Sequence, residues 1–210
     1  MELGRAGKIL LVQLGGIGDA LLSVPFCAAL RRHWPEASVH LLAVPRVCAF
    51  MKAYDFIDRT IAFSPDLFSA AGAVFSMRKK YDLAINMRTL VSAQSALRMK
   101  MFFYGICPRI SAGRNTCGRG AFFNISVPEE DPGIKHDSAY NRDLAMALGI
   151  RDYQGTFFLP SDRDASEKVA ALLRQASGSL VGAHPGGAPS RRWPADNFIR
   201  SLNLIHEREP

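Results

Sequence analysis

The sequence contains no apolar run approaching the roughly 18 residues that a membrane-spanning helix needs. The stretch Met1 to Lys8 carries Glu2 and lacks the hydrophobic segment of a secretion signal. A cytoplasmic protein is the expectation. Cysteine is scarce, and Cys27, Cys48, Cys107 and Cys117 form no C-x-x-C pair and have no His or Cys neighbours at zinc-site spacing. They are expected to be reduced and mostly buried. No compositional bias marks a disordered tract, and no internal repeat is evident. Acidic residues are in deficit, 19 Asp and Glu against 26 Lys and Arg, for a formal net charge of +7. That balance favours an anionic partner, whether nucleic acid, a phosphorylated substrate or an acidic membrane face. Much of the positive charge falls between Arg88 and Arg119, with Arg98, Lys100, Arg109 and Arg114 among it; a solvated basic face is the bland reading of such a run.

Short apolar runs alternate with longer segments of helical period. Lys8 to Leu14 (KILLVQL) suits a strand covered on both faces, and Asp19 to Arg32 follows as a helix. Ser38 to Val44, Arg59 to Phe63 and Asp82 to Asn86 read as further strands, with helices around Val47 to Tyr54, Leu67 to Lys79 and Val91 to Tyr104. Such alternation predicts an α/β fold with a parallel sheet and helices on both faces. From Pro108 to Pro132 the pattern loosens into glycine- and arginine-rich loops, with one strand at Ala121 to Val127; Asp137 to Leu148 is a helix stopped by Gly149. Thr156 to Pro160 and a helix from Asp164 to Ala176 lead to a buried strand at Ser179 to Ala183, the loop His184 to Pro194 and a helix from Ala195. A second β-turn-α series starts there and stops after one unit, so the chain reads as a fragment or shortened form of a two-domain protein.

After the first strand comes Gly15-Gly16-Ile17-Gly18-Asp19. Glycines allow a tight turn and close approach of backbone N–H groups to a ligand at a helix start. The dinucleotide fingerprint G-x-G-x-x-G can begin at Gly16 and Gly18, but Leu21 occupies its third glycine position and Val44-Pro45 closes the second strand without an acid. A nicotinamide-dependent oxidoreductase is therefore a minor alternative. Asp19 has two readings: a helix cap, or a general base at the carboxyl end of a strand, where open α/β sheets place their ligands.

The run ILLVQLGGIGDALLSVPFCAALRRHWPEASVHLLA, with Pro25 inside its helix, resembles the amino-terminal signature of glycosyltransferase family 9, the ADP-heptose:lipopolysaccharide heptosyltransferases. VGAHPGGAPSRRWPADNF, from Val181 to Phe198, resembles the segment that opens that family's nucleotide-sugar domain. Weaker similarities run from Tyr81 to Ala93 and from His136 to Ile150.

The resemblance implies a GT-B architecture: a Rossmann-like acceptor-side domain over 1–155, a linker over 156–178, and over 179–210 the first β-α unit of a second Rossmann-like domain. It implies an inverting transferase that needs no metal and no cofactor, moving heptose from ADP-heptose, the donor substrate, to an anionic lipid-linked saccharide of the lipopolysaccharide inner core. No nucleic acid is implied as a partner. The enzyme would act in the cytoplasm, peripheral at the inner membrane. Asp19 maps to the family's base, and Gly15, Gly16, Gly18, Asn86 and Arg88 to the acceptor side, Asn86 and Arg88 standing where relatives commonly have aspartate and glutamine. His184, Gly186, Gly187, Arg191 and Arg192 would hold the donor diphosphate, with Arg191 replacing a customary lysine. A non-catalytic acceptor-binding module that lacks the donor half is the alternative.

Overall fold

The computed structural model describes residues 6–63, 72, 74–130, 134–160, 162–174, 179–187 and 192–208. The chain divides into two compact units, Met1–Pro160 and Ser161–Pro210.

The first unit is a six-stranded sheet, all parallel, in the order β3-β2-β1-β4-β5-β6. Its strands are β1 (Lys8–Gln13), β2 (Ser38–Ala43), β3 (Arg59–Ala62), β4 (Leu83–Asn86), β5 (Ile110–Thr116) and β6 (Ile125–Glu129). The helices are α1 (Ile17–His33), α2 (Pro45–Met51), α3 (Ala93–Ile106) and α4 (Asp137–Ala147). This is the strand order of the doubly wound dinucleotide-binding folds. β1 lies between β2 and β4, which explains its unbroken apolar sequence: Ile9 and Leu11 enter one core, Leu10 and Val12 the other, because successive side chains leave opposite faces. The first core is closed by α1, α2 and α4, the second by Ala96, Met99, Phe103 and Ile106 of α3.

α1 carries Pro25 in its buried interior, where the ring removes one backbone donor. Its end is pinned by Arg31, whose guanidinium donates to the carbonyls of Pro35, Ala37 and Phe56 and reaches Asp58 at 2.5 Å. Asp58 also accepts from the Val39 backbone at 2.6 Å, so one ion pair ties the helix to β2 and to the entry of β3.

Three expectations about the elements and cysteines of the first unit need correction. Ile110 to Thr116, read as loop, is β5, because a strand flanked by β4 and β6 gains its stability from two ladders that local residue preferences do not reveal. The predicted strand at Ala121 to Val127 begins only at Ile125 and runs through Pro128 to Glu129; β6 is the sheet edge, where proline is tolerated. Two of the four cysteines, Cys107 and Cys117, are exposed, both with left-handed φ of 47° and 48° at turns that follow α3 and β5. Cys27 and Cys48 are buried as expected, and burial pushes the Cys27 thiol up to about 12, leaving it inert. Of the predicted helix at Leu67 to Lys79, residues 72 and 74–77 are helical, and 67–71 and 73 lie outside the described residues.

The second unit contains α5 (Arg163–Leu173) and α6 (Ala195–Arg208). α5 is capped by Asp162, whose carboxylate accepts from the Ala165 backbone at 2.9 Å. The buried strand expected at Ser179 to Ala183 is absent: these residues form no ladder, and Leu180 and Val181 are exposed. A lone parallel strand finds no partner among the described residues of this unit, and without one its apolar run alone does not make a strand. No described helix is long and apolar enough to cross a membrane.

Candidate functional site

Gln13, the last residue of β1, is buried, and its amide braces the turn that follows: Oε1 accepts from the Gly15 N–H and Nε2 donates to the Asp19 carbonyl, both at 3.2 Å. The chain then enters α1 through Gly16, its N-cap. Asp19, in the first turn, turns its carboxylate back so that Oδ2 accepts from the Gly16 N–H at 2.7 Å. This satisfies one of the donors left over at a helix start and sets a negative group against the positive end of the helix dipole. The capping reading of Asp19 is therefore correct. It does not exclude the other, since Asp19 is exposed and lines a cavity.

That cavity measures about 140 Å³ and opens at the carboxyl ends of β1, β4 and β5, lined by Gln13, Asp19, Arg88, Thr89, Arg114 and Asp137 together with Met87, Val91 and Asn141. Two carboxylates and two guanidiniums thus share one small polar site. Asn86 is not among the lining groups. It is fully buried, its Nδ2 donating to the Arg88 carbonyl at 2.7 Å while its Oδ1 accepts from the Arg88 N–H at 3.3 Å. The turn built this way directs the half-buried Arg88, whose Nη1 donates to the Leu14 carbonyl at 3.0 Å.

Arg114 corrects the picture of a continuous basic face. Its side chain is almost fully buried and is matched by Asp137 at 2.6 Å and Glu129 at 3.5 Å. Further bonds run to the Thr89 hydroxyl and the Asn141 side chain, and the guanidinium stacks over Tyr140 at 5.1 Å. Glu129, equally buried, accepts from the Thr89 and Thr116 hydroxyls. Asn141 passes the connection on, donating to the Leu22 carbonyl of α1 at 2.8 Å. Of the remaining cations, Arg119 bonds the Leu90 carbonyl, while Arg98, Lys100 and Arg109 are exposed.

Among the glycines of the first turn, Gly15 is sterically required: a Cβ there would lie 2.2 Å from Asp19 Oδ2. A Cβ on Gly16 would meet Asp19 at 3.9 Å, and one on Gly18, inside α1, would meet nothing within 4 Å. In the second unit, the loop from His184 folds on itself. Arg192 donates to the Gly187 carbonyl at 3.0 Å, Gly187 has φ +134°, and a Cβ on Gly186 would strike the His184 ring at 2.7 Å. Trp193 packs edge-on against Phe198 with ring centroids 5.0 Å apart, anchoring the loop to α6. Arg191 lies outside the described residues. Among the described residues, no three His, Cys, Asp or Glu side chains converge as a metal site would require.

Gln13, Thr89, Asp137 and Asn141 were not singled out as site residues by the sequence, and Arg114 was named only as one cation of the basic run. A glutamine closing an otherwise apolar strand was a usable sign, as was the i, i+4 spacing of Asp137 and Asn141 on one helix face. Arg114 carried none, because its place depends on β5.

No protein-family model matches the chain, and no curated protein matches it in sequence. Solved structures do share its fold. A glycosyl transferase family 9 protein from Veillonella parvula aligns with all of the chain at TM-score 0.70 and 17% identity, covering 62% of that protein. E. coli ADP-heptose lipopolysaccharide heptosyltransferase II aligns with 96% of the chain at TM-score 0.63 and 17% identity, over 62% of its own length. E. coli heptosyltransferase WaaC, solved with ADP, aligns with 94% at TM-score 0.61 and 17% identity, over 64% of its length. The chain therefore spans less than two thirds of these proteins, and the fold it shares with them is the GT-B type that the sequence resemblance implied.

Proposed function

We propose that the chain is the acceptor-side part, with the opening of the donor-side part, of an inverting, metal-independent glycosyltransferase. It moves heptose from ADP-heptose to a lipopolysaccharide inner-core acceptor at the cytoplasmic face of the inner membrane. The observation that carries this reading is Asp19, held by the Gly16 N–H at the carboxyl end of β1 and open to a polar cavity, in a fold shared with heptosyltransferases.

The chemistry follows from that placement. An acceptor hydroxyl in the cavity gives its proton to Asp19 as its oxygen attacks the anomeric carbon of the donor. The bond from that carbon to the ADP oxygen breaks on the opposite face, so the configuration inverts and the electron pair leaves with ADP. Arg88, directed by Asn86, offers its charge to the anionic acceptor. Arg191 and Arg192, in the loop that follows His184, Gly186 and Gly187, take up the diphosphate as its negative charge grows.

The test is a transfer assay on this chain joined to a complete donor-side part, with a panel of nucleotide sugars and a deacylated inner-core saccharide, read by release of the nucleoside diphosphate. ADP is expected from ADP-heptose in preference to the other donors. Turnover that prefers another donor overturns the substrate assignment, and absence of transfer from every donor overturns the glycosyltransferase reading.

A further inference from the structure

α3 is apolar on two opposite sides. Ala96, Met99, Phe103 and Ile106 face the core, yet Leu97, Met101 and Tyr104, at i, i+4 and i+7 on the other side, are 58%, 65% and 64% exposed. A helix hydrophobic all round is ordinarily buried all round. Val91, just before the N-cap Ser92 and outside the helix, is 65% exposed and also lines the cavity that contains Asp19. From Leu97 to Tyr104 the stripe extends about 10 Å at the helical rise.

Charge narrows what can cover it. At 100° per residue the stripe is flanked by Arg98 on one side and Lys100 on the other, both exposed, and the helix has no acidic residue. Lys100 Nζ lies 5.6 Å from the Tyr104 ring centroid, so the cation sits at the edge of the apolar surface. Beyond the end of α3, the exposed Arg78, Lys79 and Lys80 adjoin it, the Lys79 N–H donating to the Ile106 carbonyl at 2.7 Å. An apolar strip bordered by cations suits the boundary between acyl chains and anionic headgroups, where aliphatic and aromatic groups enter the interface and Lys and Arg remain at headgroup level. Pairing with a second copy would set these cations against one another.

We infer that the outer face of α3, with Leu97, Met101 and Tyr104 inserted and Arg98 and Lys100 at headgroup level, docks the protein on an anionic phospholipid surface. The docking holds the mouth of the Asp19 cavity beside the bilayer, where a lipid-linked saccharide projects. The inference rests on the proposed function for the nature of that acceptor, while the docking itself needs no sugar donor.

Co-sedimentation of the full chain with phosphatidylglycerol vesicles tests it, with phosphatidylcholine vesicles for comparison. Binding is expected to the anionic vesicles and to weaken at high salt. The triple change Leu97→Ser, Met101→Ser and Tyr104→Ser should lower partitioning by about tenfold or more, and Arg98→Glu or Lys100→Glu by about fivefold each, with circular dichroism and melting retained because these side chains are exposed. Equal binding to both vesicle types, or undiminished binding by the triple variant, overturns the inference. A concentration-dependent dimer that the triple variant dissolves assigns the face to a second copy and overturns it too. Failure to bind vesicles with intact transfer to a water-soluble acceptor removes this inference alone; vesicle binding without transfer removes the proposed function alone.

Discussion

The Asp19 carboxylate accepts a 2.7 Å hydrogen bond from the Gly16 N–H, so the group proposed to take a proton from the acceptor also caps α1. The two roles separate by mutation. Asp19→Asn keeps an oxygen for the cap and loses the base: transfer should fall by about 10²- to 10⁴-fold while stability in urea changes by less than about 1 kcal/mol. Rates and unfolding curves measured on one preparation decide it, and near-normal turnover removes Asp19 from the chemistry.

Gly15 and Gly18 belong to the same short motif but should respond oppositely to alanine. A Cβ at Gly15 meets the Asp19 side chain at 2.2 to 2.8 Å, so Gly15→Ala must displace the carboxylate and should reduce transfer at least tenfold by moving the base. Gly18 lies within α1 with open space where its Cβ would be, and Gly18→Ala should raise stability by about 0.5–1 kcal/mol. Thermal melts of both variants, with activity of the first, check the contrast.

Arg114 and Glu129 are coupled in the interior, at 2% and 1% side-chain exposure and 3.5 Å apart. Arg114→Met leaves Glu129 buried without its cation and should cost about 3–5 kcal/mol. Adding Glu129→Gln removes the stranded charge and should recover part of that loss. Asp137→Asn should cost less than about 1 kcal/mol, because half of that side chain meets water. A double-mutant cycle in urea gives the coupling, and strictly additive losses would contradict a paired charge.

His40 predicts a pH dependence. Burial, helped by the nearby Lys8 and Arg59 charges and opposed by Asp58, lowers its pKa, and its ring nitrogens are engaged by Ser38 and by Tyr81 at 3.1 and 2.9 Å. A lowered folded pKa means that the unfolded chain binds the proton more readily, so stability is full above the ordinary histidine range and declines as pH falls through it. Urea midpoints should drop between about pH 7.5 and about pH 5.5, and His40→Gln should flatten that slope. Asp58 shifts the same way in a lower window: burial would raise its carboxyl, but the Val39 N–H and Arg31 outweigh it and hold it below the usual range. Its contribution is lost only under stronger acid.

Local sequence determined a good deal. The unbroken apolar run from Ile9 to Val12 requires cover on both faces, and the glycines before Asp19 require a tight turn into a helix, so β1, its turn and α1 could be read directly, with Asp19 at the mouth. Helix α4 was legible too, from its period and its stop at Gly149. Tertiary structure decided the rest, because each remaining feature depends on neighbours distant in the chain. Ile110 to Thr116 becomes a strand by lying between β4 and β6, and only that placement turns Arg114 from one cation in a basic run into a buried partner of Glu129 and Asp137. Ser179 to Ala183, apolar enough to be read as a strand, joins no ladder among the described residues. Asp19 was visible in the sequence as a cap or a base; the fold made it the cap, by bending its carboxylate onto Gly16, and left it open to the cavity it shares with Arg88 and Arg114, where the proposed base would act.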